Sequence, residues 1–174
     1  MSNPRRLGSA RHMTGVLRLA SRLAAVTTLL AASQPLAAME VQRPFAGLAG
    51  SWAGRGTIST LGGVEHATCT ASYQVSANAA KLTFRCATES FRLNLTGSVV
   101  DERGTISGTW SEQGFGTSGT VSGRASGDRL GFATNVAGAQ VTVVIATQGA
   151  RQTVSLKTTS PFLTDGALVL LRQG

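Results

Sequence analysis

The sequence predicts an all-β fold, a single antiparallel up-and-down barrel of roughly eight to ten strands preceded by a signal-peptide helix. Three observations predict it. Most of the 21 glycines, together with abundant threonine, serine and valine, fall after the first 38 residues. Apolar and polar residues alternate there with a period of two, which is the period of a half-buried strand. Turn-forming pairs separate these stretches at short intervals, and links this short join antiparallel strands only.

The N-terminal segment, residues 1–38, has the organisation of a secretory signal peptide. Arg5 and Arg6 open a basic stretch of five arginines, an apolar run extends from Leu23 to Ala32, and Leu36-Ala37-Ala38 supplies small residues before a cut after Ala38. The apolar run is too short for a permanent membrane span, which needs about 20 residues. Translation could begin at Met1 or Met13. We therefore expect a periplasmic or secreted protein with no stable membrane span after cleavage.

Cleavage removes most of the positive charge. The whole chain carries 16 basic and 8 acidic residues, whereas the part after Ala38 carries 11 basic and 8 acidic residues, a net charge of +3. The basic residues of this part are dispersed, and its aromatic residues are few, so we expect no nucleic-acid partner. About 136 residues remain, enough for one domain with its own core.

This part of the chain is predicted to comprise a lead-in segment, residues 39–50, and a barrel domain, residues 51–174. In the lead-in, Phe45 and Leu48 are placed to tuck under the domain. The predicted strands include residues 51–60, 66–76, 81–90, 116–124, 141–146, 152–158 and 167–172. A barrel closes the sheet on itself and removes exposed edges.

The two cysteines predict a disulfide across one hairpin. If the chain turns at Ala77-Asn78, then Tyr73 faces Leu82, and Cys69 falls opposite Cys86. Directly opposed residues of paired strands are close enough for a bridge after a small local adjustment. An even cysteine count in an exported chain favours this pairing, and two free buried thiols are the alternative.

No set of residues predicts catalysis, a cofactor or a metal site. His66 is the one histidine after residue 38 and has no evident partner. Ser111 and Glu112 are adjacent on a strand and point to opposite faces, so they cannot converge on one substrate atom. Glu112 is interpreted as a surface charge. We expect a non-enzymatic protein without cofactor or metal.

Large apolar side chains on the inward phase of the strands predict either a filled core or a cavity for one small hydrophobic ligand. The candidate cavity residues are Trp52, Tyr73, Phe84, Leu95, Trp110 and Phe132.

The opening of the first strand, Leu48-Ala49-Gly50-Ser51-Trp52, resembles the Gly-x-Trp motif of lipocalins and their calycin relatives. The resemblance implies that Trp52 closes the barrel floor and that a late basic residue, matched here by Arg172, packs across it. The chain is also similar to small exported bacterial proteins of unassigned function. Those proteins share the Gly-Ser-Trp opening, two cysteines and a Gly-Thr-Trp-Ser-Glu segment, here residues 108–112.

Three functions follow as hypotheses. The first is a non-enzymatic barrel that binds a small hydrophobic ligand. The second is a protein-binding module such as a secreted protease inhibitor, with the tail Met39-Glu40-Val41-Gln42 entering the protease. The third is a structural cell-envelope protein that docks a partner on an exposed edge strand.

Overall fold

The computed structural model describes residues 43–174. The predicted signal peptide, its helix, the cleavage site and the proposed inhibitory tail lie outside the described residues. Within residues 43–174, no helix is both long and apolar enough to span a bilayer.

Ten strands follow a short 3₁₀ helix, Ala46–Leu48. Their bounds are β1 Gly50–Thr60, β2 Gly63–Ser76, β3 Ala79–Ala87, β4 Arg92–Glu102, β5 Thr105–Glu112, β6 Thr117–Ser126, β7 Arg129–Val136, β8 Ala139–Gln148, β9 Arg151–Thr158 and β10 Leu163–Arg172. Each strand pairs antiparallel with its sequence neighbours, and β10 pairs with β1 to close the barrel. The predicted up-and-down barrel is confirmed at ten strands.

Closure of the sheet gives every strand of residues 43–174 a neighbour on both sides, although β6 pairs with β7 only from Ser122 to Ser126. The first and last strands offer no exposed edge for the docking predicted for a structural cell-envelope protein, because β1 and β10 occupy each other's hydrogen-bonding groups.

The predicted hairpin register is confirmed. Tyr73 pairs with Leu82, and Cys69 pairs with Cys86, with their Cα atoms 4.2 Å apart and a disulfide between them. Strand alternation directs both sulfurs to the barrel interior, where Cys69 and Cys86 are buried. Such a bridge indicates an oxidising, extracytoplasmic environment.

Two glycines let β1 bend tightly against β10. A Cβ atom on Gly54 would lie 1.9 Å from the carbonyl oxygen of Val169, and one on Gly56 would lie 2.0 Å from that of Ala167. A side chain at either position would clash with backbone, which cannot move aside as a flexible side chain can. The close approach of β1 to β10 therefore depends on glycine at these two positions.

The two ends of the barrel differ in construction. At the closed end, the 3₁₀ helix packs beneath the sheet with Phe45 and Leu48 buried. At the open end lie the turns β1–β2, β3–β4, β5–β6, β7–β8 and β9–β10. No described segment crosses the open end.

Candidate functional site

The barrel encloses a cavity of about 660 Å³. Side chains from all ten strands and the two apolar residues of the lead-in line it. The lining is almost entirely apolar, and its aliphatic and phenyl side chains include Leu82, Phe84, Leu95, Val121, Phe132, Val143, Val154, Leu156 and Leu168. Ligand pockets in proteins span about 300–1,000 Å³, so this cavity has the size of a small-molecule site.

Of the six candidate cavity residues, the structure brings five together. Tyr73, Phe84, Leu95, Trp110 and Phe132 all line the cavity. The sixth, Trp52, is buried among the described residues of the closed end and does not contribute to the lining.

Sequence reasoning missed the wall formed by β8, β9 and β10. Val143, Val154, Leu156 and Leu168 line the cavity from these strands. Their alternation with polar neighbours is a sufficient signal for an inward position, although the predicted set contained one aliphatic residue, Leu95.

Trp52 and Arg172 build the closed end as the calycin resemblance implies. The indole Nε1 of Trp52 donates to the carbonyl oxygen of Leu48 at 2.7 Å. The guanidinium of Arg172 lies over the indole, with its Cζ atom 4.3 Å from the ring centroid. Its two terminal nitrogens donate to the carbonyl oxygens of Ala49 and Gly47. Arg172 thus fastens the lead-in to the last strand, while Trp52 fills the space between them.

One polar pair crosses the interior just above this floor. The hydroxyl of Tyr73 donates to Oε1 of Gln152 at 2.9 Å, and Nε2 of Gln152 donates to the hydroxyl of Thr147 at 3.3 Å. Gln152 is fully buried. Burial raises the pKa of Tyr73 well above its ordinary value, because the phenolate would have no water to solvate it.

Trp110 stands in the wall where the barrel is least tightly paired. β6 pairs with β7 only from Ser122 to Ser126, so the part of β6 nearer the open end has no ladder partner on β7. A side-chain relay spans this seam: Trp110 Nε1 donates to the hydroxyl of Thr134 at 2.8 Å, and that hydroxyl donates to the carbonyl oxygen of Thr120 at 2.7 Å. β6 and β7 share the shortest register of any neighbouring strands in residues 43–174, so we expect this seam to deform more readily than the rest of the wall.

A glycine makes room for the indole at the seam. A Cβ atom on Gly119 would approach Nε1, Cε2 and Cζ2 of Trp110 to 3.1–3.2 Å. Gly119 therefore allows the ring to lie flat against β6, with one face toward the cavity.

Two carboxylates organise turns at the open end. Glu112, interpreted from sequence as a surface charge, is instead buried. It accepts hydrogen bonds from the backbone N–H groups of Asn94, Gly114 and Phe115 at 2.8, 3.0 and 2.6 Å. These bonds, the one from Phe115 foremost, hold the pKa of Glu112 below its usual value. The sequence prediction was wrong because it could not see that the β5–β6 turn folds back over the carboxylate.

Glu65 does the same for the β3–β4 turn. Its carboxylate accepts from the hydroxyl of Ser90 at 2.7 Å and from the backbone N–H of Ser90 at 3.1 Å. Hydrogen bonds from Thr88 and Ser90 lower the pKa of Glu65.

The polar groups of the lining are few and uncharged apart from one carboxylate. Thr60, Ser90, Thr117, Thr158 and Ser160 lie near the open end, whereas the middle of the cavity is apolar. Tyr73 and Glu112 are the ionisable residues among the lining side chains, and no lysine, arginine or histidine is in that set. Every buried side-chain polar atom of the described residues has a hydrogen-bond partner. The site therefore offers apolar contact in its depth and hydroxyl groups at its entrance.

Comparisons with known proteins find the fold and no family. No protein-family model and no curated protein matches the sequence. Among solved structures, the chain is similar to Rv2717c from M. tuberculosis, with a TM-score of 0.63 and 18% sequence identity. The match covers 78% of this chain and 98% of that one. At this identity the likeness establishes a shared β-barrel architecture.

Proposed function

We propose that this protein is a non-enzymatic carrier of a small apolar ligand, held inside the barrel. The observation that carries the proposal is the 660 Å³ cavity with its almost wholly apolar lining. A cavity of this size left open in a core forfeits packing energy, and a fold keeps one at that cost when a ligand fills it.

The lining favours a neutral ligand over an anionic one. No cation among the lining residues could pair with a carboxylate or phosphate head, and burying an unpaired charge is costly. Glu112 would repel an anion at the entrance. Its carboxylate is already occupied by three backbone donors, which also makes it a poor partner for a cation. A long-chain alcohol, an isoprenoid or another uncharged lipid therefore suits the site.

The family proposed for this carrier is lipocalin-like, of the calycin type. The support lies at the closed end, where Trp52 packs under Arg172 as the Gly-x-Trp motif implies. Export to the periplasm or beyond is part of the same proposal, supported by the disulfide and by the character of residues 1–38.

Ligand binding is tested with the neutral fluorophore N-phenyl-1-naphthylamine, followed by displacement with hexadecanol or palmitate. We expect saturable binding of the fluorophore, with the alcohol displacing it at least about tenfold more effectively than the fatty-acid anion at neutral pH, because burying an unpaired carboxylate costs at least a tenfold step in affinity. If neither the fluorophore nor hexadecanol bound to the protein, the carrier function would be refuted. Preference for palmitate would refute the neutral-ligand assignment.

A pair of variants on one strand provides the matched control. Val143 lines the cavity, whereas its neighbour Val144 lies on the outward phase of β8. Val143→Phe should reduce fluorophore affinity about tenfold or more by occupying ligand space, and Val144→Phe should leave it within about twofold. Equal effects of the two variants would mean that the fluorophore binds outside the barrel.

A further inference from the structure

The exposed large apolar side chains of the described domain are concentrated at the open end. Leu61, Phe115 and Phe162, which we call the apolar rim, are 76%, 65% and 71% exposed. Val64, 68% exposed, lies on the outer wall just below Leu61. Ordinary protein surfaces expose large apolar side chains singly and scattered. A group of them on hairpin tips therefore indicates a contact surface.

The rim surrounds the entrance from opposite sides. Leu61 lies in the β1–β2 turn and Phe162 in the β9–β10 turn, and these two turns are joined by a hydrogen bond of 3.0 Å from the Leu61 N–H to the Phe162 carbonyl oxygen. Phe115 lies in the β5–β6 turn, four strands away round the ring from each of them. Phe115 and Phe162 also line the cavity, so the rim continues the cavity surface outward.

The charge pattern at this end matches an apolar partner. Four of its five turns contain no charged residue, and Glu89 in the β3–β4 turn is the exception. Basic residues lie beside the turns at both ends, with Arg103, Arg124, Arg129 and Arg151 at the closed end and Arg85, Arg92 and Lys157 below the tips of the open end, where acidic residues accompany them. Charge-free tips can enter an apolar medium without the cost of burying an ion.

We propose that the apolar rim docks the barrel, open end first, into the interfacial layer of a lipid bilayer. A helix or strand of a partner protein would contact one side of the entrance, whereas a planar bilayer contacts Phe115 and the Leu61–Phe162 pair at once. This inference rests on the proposed carrier function, since the rim would let an uncharged ligand pass between membrane and cavity without crossing water. The membrane contact is peripheral and reversible, because three hairpin tips bury little area.

The distribution of charge at the rim predicts which kind of lipid headgroup is sufficient for docking. With no basic cluster at the rim, binding should occur on zwitterionic phosphatidylcholine and change little with salt. Docking through the arginines of the closed end would instead require anionic lipid and weaken as salt rises.

The test is co-flotation of the purified protein with phosphatidylcholine vesicles on a density gradient, every variant carrying the same N-terminal residues. The rim variant is Phe115→Ser with Phe162→Ser. The matched control is Val100→Ser with Leu171→Ser, which removes the exposed large apolar side chains outside the open end, 38% and 52% exposed. We expect the rim variant to partition at least about tenfold more weakly, since one buried phenyl ring is worth at least one tenfold step. The control should change less than about twofold.

Three results would overturn the inference: unchanged flotation of the rim variant, binding that requires anionic phosphatidylglycerol and disappears in salt, or a dimer in solution that the rim variant abolishes. The last would assign the rim to a second copy of the chain. Fluorophore binding measured without vesicles separates the two proposals. Binding that persists while flotation fails overturns the docking alone, and flotation without fluorophore binding overturns the carrier function.

Discussion

The closed and open ends of this barrel differ in how tightly their side chains are packed. At the closed end, a tryptophan, a stacked arginine and the Tyr73–Gln152 pair lock buried groups in place. At the open end, the carboxylates of Glu65 and Glu112 hold turns through backbone N–H groups, while large apolar side chains face outward. A carboxylate holds a turn at the closed end too, since Asp101 accepts from the Gly104 N–H at 3.0 Å. The ends therefore differ in their packing, with buried side chains filling the closed end and apolar surface exposed at the open end.

From this difference we expect the closed end to contribute most to stability and the open end to open more easily. Packed, fully satisfied groups resist local opening, whereas turns held by two or three bonds open at lower free energy. The proposed carrier function would use both properties, since a rigid floor would define the cavity and a deformable entrance would admit a ligand. The short pairing of β6 with β7 extends the deformable region from the turns into the wall.

The largest expected effect tests the floor. Trp52→Ala should lower the free energy of unfolding by about 3–5 kcal/mol, because it empties a fully packed site and removes the ring beneath Arg172. Phe162→Ala at the open end is the matched control and should change it by less than about 0.5 kcal/mol, because the ring is exposed. Urea unfolding measures both. Equal losses for the two variants would mean that the ends do not differ as described.

The contrast between the ends also marks what the sequence could reveal. Period-two alternation and the Ala77-Asn78 turn were enough to predict the register that places Cys69 opposite Cys86. The Gly50-x-Trp52 opening pointed to the stacked arginine 120 positions along the chain. The register follows from local pattern, since it depends on which face each residue occupies, whereas the role of Arg172 was implied by the resemblance of the opening to the calycin motif.

The open end could not be predicted in the same way. The role of Glu112 depends on a turn that returns three N–H groups to one carboxylate, which is a property of tertiary geometry. Whether inward aromatic residues fill the interior or surround a cavity depends on barrel diameter, and that follows from strand number and shear rather than from alternation. A filled core and a cavity are therefore both compatible with the sequence.

A smaller effect should come from the polar pair above the floor. Tyr73→Phe removes the donor to the buried Gln152 and should cost about 1–3 kcal/mol, because the amide oxygen is left without a partner. The measurement is urea unfolding at neutral pH. Gln148→Ala is a control for the general effect of substitution, because Gln148 is exposed on β8, the strand next to that of Gln152. A loss below about 0.5 kcal/mol would mean that water replaces the hydroxyl.

The same variant predicts a change at alkaline pH. Tyr73 is the one tyrosine of the chain, and burial raises its pKa in the folded state. Above about pH 10, the unfolded chain releases a proton that the folded chain retains, so wild-type stability should fall by about 1.4 kcal/mol per pH unit from this group. Tyr73→Phe should lose that component of the slope. An unchanged slope, or a tyrosine absorbance that titrates normally in the folded protein, would contradict the buried pair.

The smallest expected change in stability tests how Glu112 holds the β5–β6 turn at the open end. Glu112→Gln replaces a carboxylate that accepts three backbone bonds with an amide that has one acceptor oxygen, so we expect a loss of about 1 kcal/mol. The pKa of Glu112 is lowered in the folded state, so its contribution is present above the ordinary carboxyl pKa and is lost as pH falls through the lower folded value. The variant should therefore lose stability at neutral pH and be less sensitive to acid. Glu89→Gln, an exposed carboxylate at the same end, controls for the removed charge.

Backbone amide signals separate a local effect from a global one. In the wild type, the amide resonance of Phe115 should move as the pH falls through the lowered pKa of Glu112 and this acceptor is protonated. In Glu112→Gln it should be displaced already at neutral pH and be insensitive to acid, while amides beside Trp52 stay unchanged in both. If the signals at both ends moved together, Glu112 would be supporting the whole barrel, and the division into a rigid floor and an adaptable entrance would fail. If only the β5–β6 turn responds, the carboxylate fixes the position of Phe115 at the entrance.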